Sequence, residues 1–271
     1  MKKFAVIGYP IDHSLSDELF NYIFKKLNIN AKYIKIKVNE EYLADFLKNI
    51  NNKELCGFNV TLPHKNKIIN YIDDIDKTAQ LINSVNVIEN LDSKLKGYNT
   101  DWLGFCMSMQ INSIDFKNNE VVILGYGGAS RSIIYSLIKM GTKKIAVLTR
   151  NPNKIKELKD LIVEVFPIDS AESIVKNNSI IINTTPVGMK INASPLDYGL
   201  IHKNQILIDI IYTPYQSPLL KFGSEVGAQT INGFDMFIYQ ALYSFKIWFG
   251  DQYLKQLHFS EIKKFLIKKI K

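Results

Sequence analysis

The stretch VVILGYGGASRSIIYSL (Val121–Leu137) decides the fold of this 271-residue chain. A continuously apolar strand ends at Leu124, three glycines follow at positions 125, 127 and 128, and a helical pattern starts at once. In this order they are typical of a dinucleotide-binding βα unit, where Gly125 would make the tight turn and Gly127 would let the backbone approach a pyrophosphate. The free N–H groups of the following helix favour phosphate binding at its N-terminus.

The end of the next predicted strand indicates which dinucleotide this unit binds. A site for NAD is expected to carry an Asp or Glu there, which holds the ribose hydroxyls. Here the strand runs into TRNPNK (Thr149–Lys154), which has no acid. Arg150 stands where the 2′-phosphate of NADP would lie, with Lys154 beside it, and a planar guanidinium suits phosphate. The sequence therefore predicts NADP. Arg131 lies just inside the predicted phosphate-binding helix. It could add positive potential at the phosphates or be a surface residue, and the sequence leaves both roles open.

Apolar β-branched runs alternate with helical patterns along most of the chain, which predicts an α/β fold. The expected strands are Lys3–Tyr9, Tyr33–Val38, Gly57–Leu62, Asn86–Glu89, Leu95–Tyr98, Val121–Leu124, Lys144–Leu148, Val163–Pro167, Ile180–Asn183, Ile206–Ile210 and Gln229–Ile231. The fourth and fifth are expected to form a hairpin, and helices are expected near 17–27, 41–49 and 101–110. Several later strands are apolar throughout, as expected of parallel strands covered on both faces. Two α/β units result, split near residue 102.

The amino-acid composition argues against nucleic acids and membranes as partners of this protein. The net charge of +8 comes almost entirely from lysines spread along the chain, whereas readers of nucleic acid favour arginine, so we expect no nucleic-acid partner. No apolar run approaches the roughly 20 residues that cross a bilayer, so we expect no membrane partner. Cys56 and Cys106 are isolated cysteines, which favours a reducing cytoplasm.

In the first unit, polar residues follow predicted strands, where ligands of open α/β sheets bind. They are Ser14, Ser16, Asn59, Thr61, Lys65, Asn86, Asn99, Thr100 and Asp101. A small polyhydroxylated substrate would use hydroxyls and amides to pair its oxygens, and a lysine with an acid for proton transfer. The serines and Asp101 could equally cap helices. We interpret His64 as a flanking or surface residue, and no metal-ligand spacing is present.

Together these motifs resemble the shikimate dehydrogenase family over nearly the full length. The matching segments are SLS (14–16), NVTLPHK (59–65), the asparagine of SVN, GYNTD (97–101), GYGGASR (125–131), TRN (149–151), NTTPVGM (183–189), DIIYTPYQSPLL (209–220) and GFDMFIYQALYSF (233–245). The resemblance implies an open α/β substrate domain formed by residues 1–102 and completed by helices in 237–271. Residues 103–236 would form a Rossmann-like NADP domain, with the active site in the cleft.

The resemblance also implies site residues, one position at a time. Ser14 and Ser16 would bind the substrate carboxylate. The hydroxyl edge of the substrate would meet Thr61, Lys65, Asn86, Asp101 and Gln240, with Tyr212 nearby. The residues holding the cofactor would be Gly125, Tyr126, Gly127, Gly128, Ala129, Thr149, Arg150, Asn151 and Lys154, with Gly233 and Met236 near the nicotinamide. Lys65 and Asp101 would be catalytic. The chain departs from the family at Asp17, where proline is usual, at Asn83–Ser84 and Val87, and in reading T-R-N for the usual N-R-T.

The implied reaction is reversible hydride transfer between NADPH and the ketone of 3-dehydroshikimate, which gives shikimate, by a monomer or homodimer. Four alternatives remain open at this point. They are a quinate/shikimate dehydrogenase that prefers NAD, a folate-type dehydrogenase, a non-catalytic metabolite sensor with the same pocket, and a nucleic-acid binder.

Overall fold

The structure is a computed structural model that describes residues 1–50, 54–155 and 162–270, without the side chain of Lys154. The chain divides into two compact units. The first comprises Met1–Gly104 and Ile238–Lys269, and the second comprises Phe105–Phe237 and Ile270. The last helices of the chain therefore belong to the first unit, in agreement with the predicted fold class.

The N-terminal part of the chain forms a mixed sheet with helices packed on it. Its elements are β1 (Lys2–Gly8), α1 (Ser16–Lys26), β2 (Ala31–Lys37), α2 (Leu43–Lys48), β3 (Leu55–Val60), β4 (Asp74–Ile75), α3 (Lys77–Ile82), β5 (Val87–Leu91), β6 (Lys94–Tyr98) and α4 (Asp101–Ile111). The strand order is β2-β1-β3-β5-β6-β4. β1 runs parallel to β2 and β3, whereas β5 is antiparallel to both β3 and β6. The predicted hairpin is thus present as β5 and β6, and its turn places Asp92 and Ser93 at positive φ.

The second half of the chain forms a fully parallel sheet. Its elements are β7 (Glu120–Leu124), α5 (Gly128–Lys139), β8 (Lys144–Thr149), β9 (Val163–Pro167), α6 (Ala171–Val175), β10 (Ile180–Asn183), β11 (Ile206–Asp209), α7 (Pro218–Glu225), β12 (Gln229–Asn232), α8 (Phe234–Phe249) and α9 (Phe259–Ile267). The sheet order β12-β11-β10-β7-β8-β9 is the doubly wound order of Rossmann folds, which reverses direction between β7 and β10. Ligands of such sheets bind at the carboxyl ends of the strands, beside this reversal.

The aromatic helix α8 lies against the first sheet and carries Gln240 toward it. The indole Nε1 of Trp248 donates a hydrogen bond to the Ile88 carbonyl, 3.0 Å away. Gly57 makes this approach possible, because a Cβ at Gly57 would lie 2.5 Å from that nitrogen. The ring of Trp248 also packs on Phe4, with 4.8 Å between centroids.

Two short elements were not predicted from the sequence, β4 and α3. Each is too short for a periodic pattern to develop, and the helix is started by a side chain: Asp76 accepts the backbone N–H of Thr78 at 2.8 Å. The helix predicted over residues 41–49 begins instead as a 3₁₀ turn, Glu40–Tyr42, and becomes α-helical only from Leu43.

Candidate active site

The glycine-rich turn has the backbone that its sequence predicts. Gly125 has a φ of +92°, and a Cβ there would lie 2.8 Å from the Thr185 side chain, so this position requires glycine. Gly127 is exposed, and a Cβ there would meet nothing within 4 Å. α5 begins directly after it, at Gly128, and the buried Ser130 hydroxyl donates to the Gly125 carbonyl at 2.9 Å. Open space above a helix N-terminus fits the pyrophosphate of a dinucleotide.

The predicted cofactor-selecting residues follow β8. Thr149 ends the strand, and its hydroxyl accepts the Asn151 backbone N–H at 3.5 Å. Arg150 is exposed, with its charge in water. The side chain of Lys154 lies outside the described residues. Arg131, whose role the sequence left open, places its guanidinium 4.7 Å from the ring centre of Tyr126, a cation–π distance.

The residues predicted near the nicotinamide lie in the second unit. A Cβ at Gly233 would lie 2.0 Å from the Ile210 carbonyl oxygen, so two backbone segments meet there at a distance that only glycine allows. Met236 is buried in the core of the second unit. Tyr212 stacks on Phe237 with ring centres 4.3 Å apart. Contact of these residues with a nicotinamide stays a prediction.

In the first unit, the segment after β3 holds the proposed catalytic lysine. The backbone N–H of Thr61 donates to the Ile7 carbonyl at 3.0 Å, and the carbonyl of Lys65 accepts the N–H of Val85 at 2.8 Å. Thr61 lies so close to β1 that a Cβ on Gly8 would be 2.4 Å from its methyl group. Backbone bonds to two neighbouring segments therefore fix both ends of this loop.

Lys65 and Asp101 face each other, although 36 residues separate them. The ammonium Nζ of Lys65 lies 2.5 Å from Oδ2 of Asp101, and their side chains are 17% and 7% exposed. Oδ1 of Asp101 accepts a second hydrogen bond from the Asn86 amide at 2.9 Å. An ammonium held this close to a carboxylate, with a further amide on the same acid, has the geometry that a proton donor and its orienting partner need.

The alternative role of Asp101 as a helix cap is taken by a neighbour. The side-chain oxygen of Asn99 accepts the backbone N–H of Asp101 at 3.1 Å, where α4 begins. Because Asn99 meets this need, both carboxylate oxygens of Asp101 remain for Lys65 and Asn86.

A buried chain of hydrogen bonds connects to the Lys65–Asp101 pair through Asn86, and the sequence predicted only part of this chain. The Asn59 amide donates to the Ser244 hydroxyl at 3.0 Å, and Ser244 lies 3.2 Å from the Thr100 hydroxyl. The Thr100 backbone N–H donates to the Asn86 side chain at 2.7 Å. Asn59 also accepts from the Tyr33 hydroxyl at 2.7 Å. Ser244 and Tyr33 were missed, although Ser244 stands one helical turn after Gln240 and so shares its face.

Gln240 joins the same cluster. Its side-chain oxygen lies 3.4 Å from the Asn86 amide nitrogen, and its backbone carbonyl accepts the Ser244 hydroxyl at 2.9 Å. The structure thus places Lys65, Asn86, Asp101 and Gln240 in one polar cluster within the first unit, and their binding of a substrate stays a prediction. Buried polar groups that are satisfied in this way fix each other's orientation.

Ser14 lies just before α1, and Ser16 is the first residue of that helix. Ser14 and Ser16 are both buried, and the Ser14 hydroxyl donates to the Ser16 hydroxyl at 3.1 Å. The Ser14 hydroxyl also accepts the Ser16 backbone N–H at 3.2 Å, which closes a local turn. The N-cap residue of α1 is Leu15, whose side chain makes no capping hydrogen bond, so neither serine is the N-cap. Because Ser16 accepts from Ser14, its own hydroxyl hydrogen is available to a ligand.

His64 corrects the sequence interpretation, because it is fully buried and not on the surface. Its Nε2 lies 2.7 Å from the Val38 carbonyl, which requires that this nitrogen carry the hydrogen. Nδ1 is buried without a hydrogen-bond partner among the described residues. Burial lowers the pKa of His64, and the bond to Val38 opposes this only in part. The imidazole is therefore a neutral structural group that ties the loop to the end of β2.

We expect this burial to make the stability of the protein pH-dependent. Below about pH 6.5 the unfolded chain protonates His64 while the folded chain does not, so the free energy of unfolding falls as pH falls. The loss is at most about 1.4 kcal/mol per pH unit and stops at the folded pKa. Urea unfolding of the wild type and of His64→Gln, from about pH 8 to about pH 5, measures it as a shrinking difference between the two. The same replacement at the exposed His202 is the control, and parallel curves for His64→Gln would contradict the expectation.

No helix of the described residues is long and apolar enough to span a membrane. Within residues 1–50, 54–155 and 162–270, no three His, Cys, Asp or Glu side chains gather as metal ligands.

A parallel doubly wound sheet with a glycine-rich βα turn, and a lysine–aspartate pair among amides, are features of dinucleotide-dependent oxidoreductases. Two family models name the particular type. The model of the shikimate dehydrogenase substrate binding domain matches residues 6–88, and that of shikimate/quinate 5-dehydrogenase matches residues 107–211. The chain belongs to the shikimate dehydrogenase family.

Individual relatives agree with these matches. A shikimate dehydrogenase (NADP⁺) from Bacillus cereus is 40% identical over 255 residues, which are 91% of this chain and 92% of that protein. The crystal structure of shikimate dehydrogenase from Aquifex aeolicus is similar with a TM-score of 0.88 at 34% identity, covering 98% of this chain and 97% of the other. The enzyme from Thermus thermophilus, in complex with NADP(H) and shikimate, has a TM-score of 0.85 at 27% identity, covering 99% of each chain.

Proposed function

We propose that this protein catalyses the reversible, NADPH-dependent reduction of 3-dehydroshikimate to shikimate, a step toward chorismate and the aromatic amino acids. The observation that carries the proposal is the contact of Lys65 with Asp101, 2.5 Å apart and held by Asn86. A ketone that accepts hydride needs a proton donor at its oxygen, and this pair supplies one. The structure of the relative from Thermus thermophilus is a complex with NADP(H) and shikimate.

The proposed substrate contacts follow from the chemistry of each group. Ser14 and Ser16 hold the carboxylate, since Ser16 has a hydroxyl hydrogen to donate to it. Thr61, Asn86 and Gln240 pair with the hydroxyl edge of the ring, and Tyr212 stays a predicted neighbour. The buried chain through Asn59 and Ser244 keeps Asn86 oriented. A pocket whose polar groups are already bonded to each other loses little entropy when the substrate binds.

Lys65 is the proposed proton donor. The hydride that reduces the carbonyl carbon would come from bound NADPH. As negative charge grows on the carbonyl oxygen, the Lys65 ammonium stabilises it and transfers a proton to it. Asp101 orients the ammonium and accepts a hydrogen bond from the hydroxyl that forms. In the reverse direction, Lys65 accepts the hydroxyl proton.

The cofactor is proposed to bind the second unit through Gly125, Tyr126, Gly127, Gly128 and Ala129, and through Thr149, Arg150, Asn151 and Lys154. The open space at Gly127 fits the pyrophosphate, and the exposed Arg150 after β8 fits the 2′-phosphate. Gly233 and Met236 remain the proposed neighbours of the nicotinamide.

We expect Arg150→Ala to weaken NADPH binding selectively. Loss of a charged fork on the 2′-phosphate should raise KM for NADPH about tenfold or more, which corresponds to one charge-assisted bond. KM for NADH should stay within about twofold, because NADH lacks that phosphate. Steady-state rates with each cofactor measure the two effects, with Lys176→Ala, an exposed lysine in the same unit, as the control. Equal losses with both cofactors would contradict this role of Arg150.

A substrate panel tests the function itself. NADP⁺ and NAD⁺ are each combined with shikimate and with quinate, and cofactor reduction is followed by absorbance. The proposal expects the highest kcat/KM with shikimate and NADP⁺. Faster reaction of quinate with NAD⁺ would support the first alternative, and saturable shikimate binding without turnover would support a sensor. A cytoplasmic location and a monomeric or homodimeric state stay predictions from the sequence.

A further inference from the structure

The residue after the serine pair carries a charge that a carboxylate-binding site should avoid. Asp17 follows Ser16 directly in the first turn of α1, where the family usually has proline. An anion beside buried hydroxyls that must hold another anion repels it, and the repulsion is strong where water is scarce. The position therefore calls for a compensating cation.

The structure provides that cation in Lys35 of β2. Its Nζ lies 3.1 Å from Oδ1 of Asp17, and the two side chains are 27% and 30% exposed. The same ammonium donates to the backbone carbonyl of Asp12 at 3.2 Å, so it spans both sides of the serine loop. Oδ1 of Asp17 is buried, and within the described part of the chain the Lys35 ammonium meets it at ion-pair distance without the alignment of a hydrogen bond. Its charge is balanced by the nearby ammonium and not by the backbone.

The neighbouring charges are paired separately. Glu18 contacts Lys269 at 3.1 Å, and Asp12 contacts Lys37 at 2.8 Å. Lys37 lies two residues along β2 from Lys35, on the same face of the strand. Its pair with Asp12 is well exposed, at 58% and 71%, so water screens it. Lys35 is thus the cation whose removal would leave the partly buried acid that follows Ser16 in the sequence without a counter-charge.

We propose that Lys35 determines specificity for an anionic substrate: by neutralising Asp17 it lets Ser14 and Ser16 bind a carboxylate. This inference rests on the proposed function, because it assigns the substrate carboxylate to the serine pair. Lys35 acts through Asp17 and is not a catalytic residue.

The test is a double-mutant cycle in the full-length protein. Lys35→Met removes the charge and keeps the length of the stem, and we expect KM for shikimate to rise about fivefold to tenfold with kcat within about twofold. Asp17→Asn in the Lys35→Met background should bring KM back to within about twofold of the wild type, because no unbalanced charge is left. Lys37→Met, which makes the same change in net charge on the same strand face, is the matched control and should leave KM unchanged.

The outcomes separate this inference from the function on which it rests. A wild-type protein that does not oxidise shikimate would overturn the proposed function, and this inference with it. With an active wild type, an unchanged KM in Lys35→Met overturns the inference alone, even where the variant melts at a lower temperature. A KM that stays high in the double variant also overturns it, because Lys35 would then act on the substrate and not through Asp17. Restoration of KM in the double variant supports it.

Discussion

Lys65→Ala is expected to lower kcat for shikimate oxidation by about 10²- to 10⁴-fold, the usual contribution of a positioned general acid–base group. The ammonium Nζ lies 2.5 Å from Asp101 in a largely buried setting, so water cannot easily take its place. KM for shikimate should change little, because the serines, Asn86 and Gln240 remain to bind the substrate. Steady-state kinetics, with intrinsic fluorescence titration of shikimate, measure both effects.

The control is Lys67→Ala, two residues further along the chain. Lys67 is 55% exposed and contacts Glu40, so its removal changes the net charge equally without touching the pocket. We expect kcat of this variant to stay within about twofold of the wild type. If Lys65→Ala retained near-normal turnover, Lys65 would have no part in the chemistry, and the proposed mechanism would be wrong.

Asp101→Asn is expected to lower kcat/KM for shikimate by about 10²-fold, the scale of a misplaced catalytic group. The amide keeps the shape of the carboxylate but loses its charge, and it can accept through one oxygen where Asp101 accepts from both Lys65 and Asn86. Lys65 would then lose the partner that orients it. Because the two residues act on one proton, Lys65→Ala combined with Asp101→Asn should cost little more than Lys65→Ala alone.

A matched replacement separates this effect from general loss of a carboxylate. Asp73 is exposed in the same unit and accepts the Leu95 backbone N–H at 2.7 Å, which an asparagine can also accept. Asp73→Asn should therefore leave kcat/KM within about twofold. Full additivity of the Lys65 and Asp101 replacements would show that the pair does not act as a unit, and a folded but fully active Asp101→Asn would exclude Asp101 from the reaction.

The departures of the structure from the sequence predictions have local causes. Histidine is a polar residue that the sequence places on the surface, yet His64 is buried. Its imidazole bonds the carbonyl of Val38, which follows β2 and lies 26 residues earlier in the chain. β4 and α3 are too short to show a hydrophobic period, and only α3 has a marker, the capping side chain of Asp76. For Ser244 the sequence shows only that it shares a helix face with Gln240, because its role depends on Asn59, 185 residues away.

The sequence alone determined the α/β class, the glycine turn and the likeness to one enzyme family, because these depend on local patterns. Apolar runs and the glycines of 125–128 act within one βα unit, and periodicity over a few residues is enough to predict it. Only the tertiary structure decided which polar side chains meet. β5 pairs with both β3 and β6, so that Val87 lies opposite Asn59 on one side and Tyr98 on the other. That pairing brings Lys65, Asn86 and Asp101 to one end of the sheet, and it joins strands whose order along the sheet no local periodicity specifies.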